Sequence, residues 1–238
     1  MKSKVIHIEN VGEVSLTRRK GSSRISVRVK ADGIVSVNHP WYASEKEVLT
    51  FIHHNIDWIL KQQHLQKKHQ QYFGVNQEIT TREHHLKIVP VEKGSVRAVL
   101  KGNQVIITIP FEVDVTEDRV QAFIRKVIIE LCRKEAKNYL PGRTAELAGM
   151  HGFAYEKVFM KSLKSKWGSC SSLGNINLNV HLMRLPDHLI DYIILHELVH
   201  TRHMNHGPEF WSLLDKVTGG NARKLNKEMK AQGKLILK

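Results

Sequence analysis

Apolar and polar residues alternate through Ile25, Val27 and Val29, pause at Asp32-Gly33, and alternate again at Val35 and Val37. A period of two predicts a hairpin of short strands. Pro40 ends the hairpin, and Ser44-Glu45-Lys46-Glu47 has the spacing of a capping box, predicting a helix through about Gln63. The pattern then recurs. Val96 to Leu100 and Val105 to Ile109 flank a turn at Gly102-Asn103, Pro110 follows, and Thr116 is placed to cap a helix running to about Tyr139. In a third copy, Val158 to Leu163 and Ile176 to Val180 read as strands around a turn-rich stretch, Trp167 to Gly174. Pro186-Asp187 then opens a helix, proline suiting its first turn and the acid its positive end.

Between the first two copies, Lys61 to Gln71 is rich in Gln, His and Lys and reads as a helical continuation or a polar connector. Amphipathic helices are predicted near Pro208–Val217 and Asn221–Gln232. The expected fold class is α+β. A β-rich region, 1–115, carries one or two helices, and a helix-rich region, 116–238, keeps a small sheet beside the Pro186 helix. Asn175-Ile176-Asn177-Leu178-Asn179 alternates cleanly and reads as a half-buried edge strand next to that helix, able to pair with an extended peptide.

Composition sets limits on this picture. The 238 residues are 41% hydrophobic and 25% charged, ordinary for a globular chain that buries a sizeable core. No signal-peptide core follows Met1 and no run is long enough to span a bilayer, while two cysteines, Cys132 and Cys170, exclude a disulfide framework. The expected compartment is a reducing cytoplasm, with no membrane partner. The formal charge is +14. Its excess is uneven: Arg18, Arg19, Lys20, Arg24, Arg28 and Lys30 occupy a stretch without acids, and Lys216 to Lys238 holds seven bases against Glu228 alone. Such a surface attracts DNA or RNA nonspecifically or simply solubilises the chain. No zinc-finger, helix-turn-helix or RNA-binding fingerprint accompanies it.

The chemistry concentrates on the third helix, where His196-Glu197-Leu198-Val199-His200 has the form H-E-x-x-H. Residues four apart share a helix face, so both imidazoles reach one metal, and Zn2+ suits neutral imidazole ligands. A catalytic zinc needs a third protein ligand and an open position. His206 follows His200 by six residues. A continuous helix would carry it about 9 Å along the axis, so the helix must end first, with Asn205 or Gly207 left-handed at the turn. Glu209, Glu228 and Cys170 are competing ligands. His203 is read as supporting, substrate-facing or merely polar. Glu197 stands beside the ligands, where a general base belongs, and would take the proton of the attacking water and pass it to the leaving amine. Arg202, His203, Asn205 and Lys166 are candidate oxyanion donors. Trp167, Phe210 and Trp211 are expected to pack around the site.

Lys166-Trp167-Gly168-Ser169-Cys170, Gly174 through Asn179, Leu185-Pro186, His196 through His206 and Phe210-Trp211 together resemble the YgjP-like metallopeptidases, more distantly related to the SprT and WLM families. The basic hairpin and Trp58 extend the likeness over nearly the whole chain. The resemblance implies a zincin-like catalytic half in which His196, His200 and His206 bind zinc and Glu197 is the catalytic base. Some SprT and WLM relatives cleave DNA-attached proteins, which gives the basic surface a role by analogy. Metzincins share the three-histidine spacing but place glycine where this chain has His203. The expected function is a zinc-dependent metallopeptidase cleaving a protein or peptide substrate. The alternatives are a nucleic-acid-binding protein with structural zinc and a zinc hydrolase of a non-peptide amide.

Overall fold

The computed structural model describes residues 3–30, 33–69 and 72–236. The chain forms two compact units, Met1–Gln71 and Tyr72–Lys238. In the first, β1 (Ser3–Ile8), β2 (Gly12–Arg19), β3 (Ser26–Val29) and β4 (Val35–Pro40) form a sheet in the order β1-β2-β4-β3. β4 runs parallel to β2 and antiparallel to β3. The hairpin read from the alternation is therefore real, but its second strand inserts between β2 and β3. Gly33, at φ +79°, takes the left-handed place in the turn; Asp32 lies outside the described residues. Val14, Leu16, Val35 and Val37 bury one face of this sheet against Val48, Ile52 and Ile59 of two helices.

Those helices are α1 (Glu45–His54) and α2 (Ile56–His69), where the sequence suggested one. The capping box forms as read: Ser44 accepts from the Glu47 amide, and the Glu47 carboxylate accepts from the Ser44 amide. The break falls at Asn55, which leaves helical geometry at φ −107°, ψ 11° and donates from its side chain to the Phe51 carbonyl at 2.8 Å. This local bond competes with continuing the helix. α2 takes up the Lys61 to His69 stretch, while Gln70 and Gln71 lie outside the described residues.

The second unit repeats the topology. β5 (Glu78–Thr80), β6 (His85–Val91), β7 (Arg97–Lys101) and β8 (Gln104–Pro110) take the order β5-β6-β8-β7, with β8 parallel to β6 and antiparallel to β7. A third sheet repeats three of these four strands: β9 (Val158–Lys161) runs parallel to β11 (Ile176–Asn179), which pairs antiparallel with β10 (Gly168–Cys170). Each sheet then leads through a proline, Pro40, Pro110 or Pro186, toward a helix.

After β8 comes α3 (Asp118–His151), which starts just past the expected cap and runs 12 residues beyond the expected end at Tyr139. Thr116 is not its cap; it bonds to Asp114, and Glu117 occupies the cap without a side-chain bond. Pro141 lies inside the helix. The sequence reading ended the helix near Tyr139, short of a residue that removes a backbone donor. Beyond it, however, Thr144, Leu147 and Ala148 bury into the core and hold the last turns in place, until Gly152 closes them at φ 67°. The boundary expected near residue 115 lies within this unit, because Ile107 and Ile109 of β8 share one core with Val120, Ile124 and Ile128 of α3. A buried polar link ties the β5–β6 turn to α3: Glu135 Oε1 accepts from Thr81 Oγ1 at 2.5 Å and His84 Nδ1 at 2.6 Å.

A 3-10 turn, Val180–Arg184, joins β11 to α4 (Asp187–Val199), followed by α5 (Pro208–Val217) and α6 (Ala222–Ile236). α4 is apolar nearly all round, with Leu189, Ile190, Tyr192, Ile193, Ile194, Leu195, Leu198 and Val199 buried. Such a helix belongs in the core, and full burial of each large side chain contributes about 1.5–3 kcal/mol. Its Asp191 makes a two-pronged pair with Arg143 of α3, at 2.7 and 2.6 Å. The fold is α+β, as read: six α-helices and three small sheets among the described residues. No helix among them is long and apolar enough to cross a membrane.

Candidate metal centre

A core helix that carries His196, Glu197 and His200 must satisfy three polar groups, and the segment after it supplies the means. α4 ends at Val199, with tight turns in which the Thr201 amide bonds to Leu198 and those of Arg202 and His203 bond to Val199. The left-handed residue expected at Asn205 or Gly207 is absent: neither has positive φ, and Gly207 is extended at φ −75°, ψ −177°. The reversal is made by the 198–203 turns and an extended Gly207, with Pro208 opening α5.

That path returns His206 to α4. His196, His200 and His206 each offer a ring nitrogen, and these atoms lie within 4.8 Å of one another, the one such group among the described residues. His196 Nε2 and His206 Nε2 are 3.1 Å apart. Two nitrogens held tetrahedrally at about 2.0–2.1 Å from zinc stand roughly 3.3 Å apart, so the donors fit a metal ion. His200 turns its Nδ1 to the His203 carbonyl at 3.0 Å, leaving Nε2 for the cluster. Phe210 of α5, fully buried, lies against all three imidazoles, with centroids 4.9, 4.6 and 4.6 Å from those of His196, His200 and His206.

Electrostatics favour neutral ligands. Burial, reinforced by the neighbouring His200 and His206, drives the His196 pKa down to about 3. His200 is also lowered, first by burial. Neutral imidazole is the form a metal requires. Glu197 is 4% exposed, and one carboxylate oxygen has no partner. Burial raises its pKa to about 8, opposed by Lys166. A dication nearby would favour the anion instead.

Gly168 explains how Glu197 fits. A Cβ there would stand 2.5 Å from Oε1 and 2.7 Å from Cγ of Glu197, so the first residue of β10 presses bare backbone against the carboxylate side chain. β10, read from sequence only as a turn-rich stretch, is an edge strand of the third sheet, with β9 at the other edge. β11, expected at the edge, is the central strand and pairs on both sides. Its polar face is also put to use: Asn179 is buried and donates to the Leu163 and Lys166 carbonyls, both at 2.8 Å, tying down the loop before β10.

The competing ligands stand apart from the cluster. Glu228 pairs with His188 at 2.9 Å, and Glu209 faces His203 at 3.4 Å. Cys170 lines the same cleft, of about 270 Å³, without belonging to the histidine group. Among the proposed oxyanion donors, Arg202 is committed to the Gly152 carbonyl at 2.6 Å. Two contributors escaped the sequence reading: Gly168 and the carbonyl of His203. A glycine two residues before Cys170 carries no signal of what presses against it, and a carbonyl carries none at all.

A family model described as YgjP-like, metallopeptidase domain, matches residues 23–232. The chain belongs to the YgjP-like metallopeptidase family. As a member it is a metal-dependent peptide-bond hydrolase. Two solved structures are similar over a smaller stretch. The metallopeptidase zymogen of Pyrococcus abyssi abylysin is 23% identical, with a TM-score of 0.36, over 39% of this chain and 92% of that one. That of Methanocaldococcus jannaschii jannalysin is 23% identical, with a TM-score of 0.35, over 39% and 94%. No curated protein matches this YgjP-like chain.

Proposed function

We propose that this YgjP-like metallopeptidase is a zinc enzyme in which His196, His200 and His206 hold the metal and Glu197 is the catalytic base. The observation that carries the reading is the convergence of three imidazole nitrogens within 4.8 Å beside a buried carboxylate with an unpartnered oxygen. Bound there, zinc would supply Lewis acidity and lower the pKa of a coordinated water to about 7. The chain's own groups do the rest. The His203 carbonyl fixes the ring of His200, and Phe210 buttresses all three imidazoles and keeps water from their rear. Glu197, held by Gly168 and shielded from solvent, accepts a proton from the attacking water and returns it to the leaving amine. β10 bonds to β11 on one side only, so its other edge is free to pair with an extended peptide.

The test is Glu197→Gln. Stoichiometric zinc with turnover of a protein substrate reduced about 10²- to 10⁴-fold is expected; equal cleavage by both proteins would remove Glu197 from the mechanism. A panel of non-peptide amides run alongside separates peptidase from amidase. A purely structural zinc has little use for a buried carboxylate beside its ligands, which disfavours the nucleic-acid-binding alternative.

We also propose that the first unit associates with nucleic acid. Arg18, Arg19, Lys20, Arg24 and Arg28 are exposed, and so are Trp41 and Tyr42, which follow the β4 residue paired with Arg19. Bases plus exposed rings suit single strands, through charge and stacking. Affinity for a single-stranded oligonucleotide should fall steeply with NaCl and fall further in Trp41→Ala. A flat salt response would reject this proposal.

A further inference from the structure

His196 forms part of two clefts. One holds the histidine cluster; the other, of about 460 Å³, lies between α4 and α6. Trp167, Ile193 and Met229 wall the second cleft, and Tyr192 lies deeper, at 2% exposure. Lys164, Ser165, Asn226 and Lys230 also line it.

We infer that this second cleft receives the substrate side chain next to the bond that is cut, and that it selects large apolar side chains such as leucine, methionine or phenylalanine. The inference rests on the peptidase reading and adds a specificity to it. Three observations converge. First, the cleft adjoins the metal centre, because His196 is a wall of both. Second, Trp167 immediately precedes Gly168, the start of the free edge β10, so a peptide laid along that edge brings side chains to the cleft; in an extended peptide alternate residues face the same way. Third, part of the lining is buried and apolar, with Met229 3% and Ile193 6% exposed beside Trp167.

Gly233 of α6 gives a way to fill the cleft. A Cβ there meets only Trp167 Nε1, at an ordinary 3.5 Å, so a larger side chain grows from α6 into the space facing Trp167. Leucine is also the better helix former, so Gly233→Leu is not expected to unfold α6. Met229→Ala is the complementary variant, enlarging the cleft from the same helix.

The experiment uses the full zinc-loaded chain in two arms. In the first, a peptide library varied on both sides of the cut is profiled by kcat/KM. Leucine, methionine or phenylalanine at one adjoining position should exceed alanine by at least about 10-fold. Gly233→Leu should lower the phenylalanine-to-alanine ratio at least about 10-fold, while Met229→Ala should shift preference toward still larger side chains. In the second arm, a series of hydroxamates carrying glycine, leucine or phenylalanine side chains is titrated by calorimetry, which needs no turnover. If no peptide is cut but hydroxamate affinity rises with side-chain size and Gly233→Leu removes the rise, the pocket stands and the peptidase reading falls. If side-chain size changes neither kcat/KM nor hydroxamate affinity, or if both variants keep the wild-type profile, the assignment of this cleft is overturned.

Discussion

Replacing Gly168 with alanine probes the contact on which the placement of Glu197 depends. The added methyl carbon would lie 2.5 Å from Oε1, 2.7 Å from Cγ and 2.8 Å from Cδ of Glu197. Moving from 2.5–2.8 Å to the ordinary contact of 3.4 Å requires a shift of roughly 0.6–0.9 Å. Glu197 is 4% exposed, so it has no solvent to swing into. Gly168 is not in the left-handed region, so alanine is tolerated by its backbone and the collision is the whole perturbation. Overpacking costs about 1–3 kcal/mol, offset in part by the roughly 0.5–1 kcal/mol that alanine gains over glycine inside a strand. Misplacing a catalytic group by about 1 Å costs on the order of 10²-fold in rate. The expected result for Gly168→Ala is zinc content like wild type, a small loss of stability and kcat reduced about 10²-fold. Gly142→Ala in α3, where a Cβ meets nothing within 4 Å, serves as the control. Turnover within about 2-fold of wild type would refute the reasoning, and so would loss of metal in step with activity, since that would mean the whole centre had collapsed.

Three other perturbations follow from the packing. Phe210→Ala removes a fully buried ring touching all three imidazoles, and should cost about 3–5 kcal/mol in urea unfolding together with a clear loss of zinc affinity by competition with a chelator. His181 is held by burial, then by Arg184, at a pKa of about 4 against 6.5 unfolded. Below pH 6.5 the unfolded chain therefore binds the proton first, so stability falls as pH drops toward 4, by on the order of 2 kcal/mol at pH 5. The His181→Gln variant should lose that share of the slope in urea titrations at pH 7 and pH 5. Burial also raises the Cys132 thiol to about 12, leaving roughly one thiolate in 10⁴ at pH 8. A thiol reagent should therefore modify Cys132 only after denaturation, and rapid labelling in the native state would contradict its burial.

What could be read from the sequence was mostly local. Ser44 and Glu47 lie three apart on one turn, and the capping box they form is present. The histidine spacing was legible for the same reason, because two imidazoles four residues apart need only a helix to share a face. Even the threefold recurrence of strand pairs and prolines had a counterpart in shared sheet topology. Partner choice between distant strands was not legible. Nothing in Val35 to Pro40 says that β4 pairs parallel with β2 as well as with its hairpin mate. The same holds for β11, which the alternation suggests as an edge and which is central, because alternation reports burial of a face and not the number of neighbours. Pro141 and Asn55 failed in opposite directions. Buried contacts beyond Pro141 overrode a helix breaker, while one side-chain bond at Asn55 ended a helix that propensity favoured. Nor does anything local tie His84 to Glu135, its buried partner 51 residues away.

The most direct test of the whole account is a crystal structure of the zinc-loaded protein, with anomalous data collected on either side of the zinc edge. One anomalous peak is expected, bonded at about 2.0–2.1 Å to ring nitrogens of His196, His200 and His206, with Glu197 adjacent and not a ligand. A peak elsewhere, or one bonded to only two of these rings with a different protein group in the third position, would contradict it.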